Sequence, residues 1–224
     1  MIPRYVLTGG PGTGKSTLLD DLNGKGMGSV GEVAEFVING EMIRDGDVLP
    51  WKNVLAFQKR VLELQLEWEG YMNDESHFVL QDRGVPDGIA YCRVGGIETP
   101  PELTEAAKRT NYSGVFLVDP LPELENNEVR REDPEKQLEL HRAVREVYTE
   151  LGYTPIPIPA MSRHLRAKLV LDRILAWPIT PRCGGMDNNY IGAAPCLVYE
   201  RQKPAQTQER RRPWQEVLAE HRAQ

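Results

Sequence analysis

The chain has 224 residues, 40% apolar and 27% charged, which suits one globular domain with a tail or insertions. A formal net charge of −6 argues against a nonspecific nucleic-acid binder, and the three cysteines (Cys92, Cys183, Cys196) match neither a disulfide framework nor a metal-ligand spacing. No apolar run reaches the roughly 18 residues of a membrane span, and the first motif follows the N-terminus too closely for a signal peptide, so a cytoplasmic location is expected.

In chain order, residues 4–8 form a short strand-like run that ends at Gly9-Gly10-Pro11-Gly12. A helix is expected from Lys15, carrying Leu18, Leu19 and Leu22, until Gly24, Gly26 and Gly28 break it. A short extended piece at 29–32 precedes a helical stretch with Val33, Phe36, Val37 and Ile43. From about Pro50 to Met72, Val54, Phe57, Val61, Leu64 and Trp68 recur at three- and four-residue steps, the period of a long helix. The runs 77–81 and 114–118 read as buried strands, and 154–158, with Pro155 and Pro157, as a poorer strand at a sheet edge. Helices are expected at about 135–151 and at 162–176, the latter with Leu165, Leu169 and Ile174. Strand-like and helical runs alternate over residues 4–176, which indicates an α/β fold with a mostly parallel sheet. Residues 1–177 therefore read as one domain, and the Pro- and Gly-interrupted segment 178–224 as a loosely ordered tail.

Gly9-Gly10-Pro11-Gly12-Thr13-Gly14-Lys15-Ser16 fits G-x-x-x-x-G-K-[ST] and lies between a predicted strand and a predicted helix. Glycines let backbone N–H groups converge on an anion, and the helix N-terminus adds its positive end. The chemistry expected here is binding of ATP or GTP with Mg²⁺. Lys15 would reach the outer phosphates, Ser16 would ligate the metal, and Thr17 would contact the α-phosphate.

Asp82-Arg83-Gly84 follows the strand at 77–81, where a parallel sheet binds ligands. Asp82 could hold Mg²⁺ through water or accept a proton from a hydroxyl, and Arg83 could pair with a phosphate or carboxylate. The plainer alternative is an Asp capping the next helix beside a surface Arg. Asp87 reads equally well as a functional acid or a first-turn helix acid, and Glu32 and Glu35 as acceptor-site acids or as capping, solvated ones. The segment 127–134 reads as a lid from which Arg130 or Arg131 would close over the phosphates. Arg163 and Arg166 are candidates for contact with the nucleotide, whereas His141, His77 and His164 are assigned no role. Trp51, Trp68, Trp177 and Trp214 are too scattered for a stacking platform.

These motifs, in this order, resemble the AAA-ATPase-like P-loop domain family that includes the ribosylnicotinamide kinase domain of NadR and the TRPL-translocation-defect protein of insects. The likeness spans about residues 4–176. It is carried by the phosphate loop, by Phe57, Gln58 and Gln65, and by Asp82-Arg83-Gly84-Val85-Pro86-Asp87 with Ala90-Tyr91. Tyr112, residues 115–118, residues 129–133, Tyr148, Leu151-Gly152-Tyr153, residues 156–159 and Arg166 complete it. The resemblance implies a three-layer P-loop fold with a five-stranded parallel core, like that of small-molecule kinases. It also implies Asp82 as catalytic or metal-linked acid, Arg83 as substrate or phosphate contact, and Arg130 or Arg131 as lid arginine. The family's P-E-A-A-R segment corresponds to Gly31-Glu32-Val33-Ala34-Glu35, so Glu32 is kept while Glu35 replaces an arginine. A phosphorylated acceptor would be disfavoured if Glu35 faced the pocket.

The expected function is transfer of the γ-phosphate to a nucleoside- or cofactor-like hydroxyl. One alternative is a nucleotide-binding regulatory module that recruits a protein or an anionic lipid through Arg210-Arg211-Arg212 and Trp214; the other is a plain NTPase. No N-K-x-D guanine-reading motif stands out.

Overall fold

The computed structural model describes residues 3–23, 28–71, 78–121 and 134–176. Arg130, Arg131, His77, Cys183, Cys196 and the expected tail lie outside the described residues. The elements are β1 (Arg4–Thr8), α1 (Lys15–Asn23), β2 (Gly28–Val30), α2 (Val33–Ile43), α3 (Val54–Tyr71) and β3 (Val79–Asp82). They continue as α4 (Val85–Val94), α5 (Pro101–Arg109), β4 (Gly114–Val118), α6 (Pro134–Glu150), β5 (Ile156–Ile158) and α7 (Arg163–Ala176).

The strands form one five-stranded sheet in the order β2-β3-β1-β4-β5, with every pairing parallel. Alternate side chains of a strand point to opposite faces, and both faces here are apolar, as a buried parallel sheet requires. Tyr5, Leu7, Phe116 and Val118 pack with Leu18, Leu19 and Leu22 of α1 and Ala167, Val170 and Ile174 of α7. Val6, Val115 and Leu117 pack on the other side with Ala90 of α4 and Leu140, Val144, Val147 and Tyr148 of α6. Helix, sheet and helix therefore form three layers. Phe57, Leu64 and Trp68, from the periodic set on α3, are buried.

Three particulars differ from the sequence reading. The short α5 was not foreseen, because only Leu103 and Ala107 supply its buried face. Leu165 is 50% exposed, and the side chain that α7 buries one position on is the charged Arg166. Ile43, expected on the apolar face of the second helix, is 78% exposed.

The topology sets β1 between β3 and β4, with Leu7 paired to Asp82 and Thr8 to Leu117. The loop after β1 and the last residue of β3 consequently share one end of adjacent strands. Gly9 makes the turn out of β1 at φ +138, and a Cβ there would lie 2.6 Å from the Val118 carbonyl oxygen. Gly9→Ala is therefore expected to lower stability in urea unfolding by about 2 kcal/mol or more. By contrast, Gly40→Ala, inside α2 with nothing within 4 Å, should raise it by roughly 0.5–1 kcal/mol.

Candidate nucleotide and acceptor site

The loop from Gly9 to Thr17 closes onto α1 as the motif requires. Gly12 and Gly14 have φ +69 and +83, the left-handed turns that gather backbone N–H groups into a nest. The Lys15 ammonium donates to the Gly10 carbonyl at 2.8 Å and lies 3.4 Å from Thr13 Oγ1. Thr13 is buried and its hydroxyl donates back to the Gly10 carbonyl at 3.0 Å. Arg166 braces the loop from behind. It donates to the carbonyls of Thr13 (2.7 Å), Pro159 (3.0 Å) and Asp119 (3.1 Å). Three of its five N–H groups thus serve backbone acceptors. Arg163 is exposed and forms a two-pronged ion pair with Asp21.

Asp82 ends β3 and meets the loop directly: Ser16 Oγ donates to Asp82 Oδ2 at 3.0 Å. Asp82 Oδ1 is buried and has no hydrogen-bond partner among the described residues. Burial raises the Asp82 pKa to about 6, with Glu32 adding to the rise and Lys15, Arg83 and the Ser16 hydroxyl opposing it. Burial likewise pulls Lys15 down to about 8, helped by Arg83 and resisted by Asp82, Glu32 and Asp87. A serine hydroxyl beside a carboxylate with an unused buried oxygen fits a Mg²⁺ ion that takes its remaining ligands from water and phosphates. No group of three or more His, Cys, Asp or Glu capable of an all-protein metal site occurs among the described residues.

Arg83 has φ +68 and is buried. Its Nε donates to Glu32 Oε1 at 2.9 Å, and one terminal nitrogen donates to the Gly9 carbonyl at 3.0 Å and to Asp87 Oδ1 at 3.3 Å. The guanidinium carbon stands 5.3 Å from the Tyr91 ring centre. Burial opposes its charge, but the Tyr91 ring and the carboxylates of Glu32, Asp87 and Asp82 hold it well above its ordinary value. Glu32 takes the N-cap position of α2 without a side-chain cap bond, because its carboxylate is turned to Arg83. Burial raises its pKa, yet Arg83 and Lys15 outweigh this and hold Glu32 ionised below the usual carboxylate range.

Asp87 settles as the anchor behind this cluster. Its carboxylate accepts from Thr8 Oγ1 (2.6 Å), the Tyr148 hydroxyl (2.7 Å), the Gly84 N–H (3.0 Å) and Arg83. Gly84 is demanded by this crowding, since a Cβ there would sit 2.5 Å from the Tyr148 hydroxyl. Tyr112 accepts from the Val85 N–H at 3.0 Å and donates to Glu69 at 3.1 Å.

In front of the cluster lies a cavity of about 1070 Å³. Pro11, Gly12, Gly14, Lys15, Ser16 and Thr17 line its phosphate end, with Asp82 and Arg83 at the floor. Gly9, Gly10 and Thr13 serve the loop from behind and do not line it. Glu32 and Glu35 both line the cavity as well, as do the mainly apolar faces of α3 and α4. Lys136, at the start of α6, also lines the cavity, although nothing in its sequence context singled it out. His141 is buried, with Nε2 3.5 Å from Asp119 Oδ1, and burial lowers its pKa against the pull of Asp119.

Residues 4–166 match the model of a family described as AAA domain. Among solved structures, a deoxyadenosine kinase from M. mycoides with dCMP and a flexible dCDP bound has TM-score 0.55 and 15% identity, over 77% of this chain and 98% of its own. A shikimate kinase from Acinetobacter baumannii in complex with shikimate has TM-score 0.46 and 17% identity, over 80% of this chain and 96% of its own. No curated protein matches the chain. No helix among the described residues is long and apolar enough to cross a membrane.

The raised Asp82 pKa has a defined sign. Between the ordinary value of 3.8 and about 6 the folded state holds a proton that the unfolded chain has lost, so stability falls as pH rises through that window. Urea unfolding of the ligand-free protein is expected to show this decline from about pH 4 to about pH 6. In Asp82→Asn that component should vanish, and the variant should be the relatively more stable protein at neutral pH.

Proposed function

The chain belongs to the AAA-domain family, and from the geometry of its loop and cavity we propose that it is a phosphotransferase moving the γ-phosphate of ATP to the hydroxyl of an unphosphorylated, nucleoside- or cofactor-like small molecule. The observation that carries this reading is the Ser16–Asp82 bond beside Lys15, set at the junction of the phosphate loop with a large, largely apolar cavity walled by Glu32. A plain hydrolase needs room for water; this cavity has room for a second substrate.

In this reading Gly12, Gly14, Lys15 and Thr17 hold the phosphates, and Ser16 and Asp82 hold Mg²⁺, which would neutralise charge on the phosphate oxygens. Glu32 stays ionised through Arg83 and accepts the acceptor's hydroxyl proton. Arg83 aligns Glu32 with the loop by bonding both, the carboxylate pairing being one of the two partners expected from the sequence. Arg166 supports nucleotide binding indirectly, through the loop carbonyl of Thr13. Lid arginines at 130 and 131 remain part of the proposal. Glu35 on the cavity wall repels a phosphorylated acceptor. A nucleoside acceptor suits the fold shared with a nucleoside kinase, and the finer likeness to the NadR kinase domain and the insect protein rests on the motif series alone.

The test is transfer of labelled γ-phosphate across a panel of nucleosides and cofactor precursors. Lys15→Ala is expected to abolish Mg²⁺-dependent ATP binding in calorimetry. Glu32→Gln should lower kcat by roughly 10²–10⁴-fold while ATP affinity stays within a few-fold. ATP binding without transfer to any acceptor would refute the kinase reading and leave a hydrolase or a regulatory module.

A further inference from the structure

We propose that His141 is a positioning residue of the phosphate-binding machinery: when a polyphosphate fills the loop, its imidazole takes up a proton from solvent and closes an ion pair with Asp119. The inference rests on phosphate binding at the loop and holds whether or not the phosphate is afterwards transferred.

His141 lies on α6 and is 7% exposed. Its helix turn packs directly behind the loop. A Cβ at Gly10 would lie 2.8 Å from the Gln137 carbonyl oxygen and 3.6 Å from His141 Cβ. The Gly10 carbonyl is itself the acceptor that holds Lys15 and Thr13. Among the described residues neither ring nitrogen of His141 makes a hydrogen bond: Nδ1 is buried without a partner, and Nε2 only approaches Asp119 Oδ1, at 3.5 Å. A buried polar ring without hydrogen bonds is costly in free energy. One nitrogen of a neutral imidazole is bare, so a proton can be added here without breaking a bond.

The charges that face the ring come from three elements. Burial is the largest influence and lowers the His141 pKa below its ordinary 6.5. Lys15 of α1 and Arg145 of α6 lower it further, while Asp119, the residue after β4, raises it. Arg166 of α7 bonds the main-chain carbonyls of both Asp119 and Thr13, which ties Asp119 to the loop and leaves its carboxylate to the ring. A polyphosphate against Lys15 cancels one opposing charge and brings several negative ones close by. Binding therefore raises the His141 pKa. By linkage, phosphate affinity increases as pH falls from the bound-state pKa to the free-state one, and gains nothing above both.

The experiment follows the His141 ring signal of the full chain by NMR from about pH 5 to about pH 8, with and without inorganic tripolyphosphate. His141→Gln assigns the signal. The midpoint should move up by roughly one pH unit on binding. In calorimetry, the affinity of the wild-type chain for tripolyphosphate relative to His141→Gln should grow as pH falls, to roughly tenfold. Asp119→Asn, which keeps the carbonyl used by Arg166, should lower the bound-state midpoint. A midpoint that stays or falls on binding overturns the proposal, as does an affinity ratio that is the same at every pH. A bound-state midpoint unchanged in Asp119→Asn overturns the ion pair and with it the proposal. Each of these spares the phosphotransferase reading, whereas failure of tripolyphosphate and ATP to bind at any pH overturns both.

Discussion

The carboxylate of Asp87 is the point on which the site's geometry turns. It accepts hydrogen bonds from the end of β1 (Thr8), the start of α4 (Gly84), α6 (Tyr148) and Arg83. A buried carboxylate needs such partners to remain in the interior. Here the partners come from three segments, β1, α6 and the β3–α4 connection, so satisfying one carboxylate fixes their mutual positions. Arg83 inherits its place from this anchor and passes it on to Glu32 and to the Gly9 carbonyl. The left-handed backbone at Arg83 costs on the order of 1–3 kcal/mol, offset by the bonds its guanidinium makes on three sides.

In front of the anchor the electrostatics are less settled. Lys15 and Asp82 are both buried, and burial disfavours the charged form of each, so the ligand-free loop stores an unfavourable term. In the phosphotransferase reading proposed above, a polyphosphate and a divalent cation would bring the opposite charges to these two groups. Binding energy would then be recovered from desolvation already incurred in folding, an arrangement that preorganises the site.

Much of this was legible in the sequence. The phosphate loop fixes its own conformation through glycines within eight residues. The long helix at Val54–Tyr71 announced itself by period, and the edge strand Ile156–Ile158 by its prolines. Asp82 could be placed because a strand end beside a phosphate loop is a ligand-binding position. What stayed hidden depends on contacts distant in sequence. Asp87 looked equally like a helix-dipole acid because Thr8 and Tyr148, 79 and 61 positions away, are invisible from its neighbourhood. The bonds of Arg166 to three backbone carbonyls could not be foreseen, because a buried arginine serving such carbonyls leaves no local pattern. Helix α5 has too few apolar residues to show a period.

The three carbonyls that Arg166 satisfies belong to the phosphate loop, to the residue after β4 and to the residue after β5. The phosphate loop is thus braced by a side chain lying 153 positions downstream of Thr13. A nascent chain carries the whole glycine-rich motif early in translation. It cannot finish bracing that loop until the ribosome has released nearly the entire core, so the loop takes its final form late in synthesis, whatever the order in which the strands assemble.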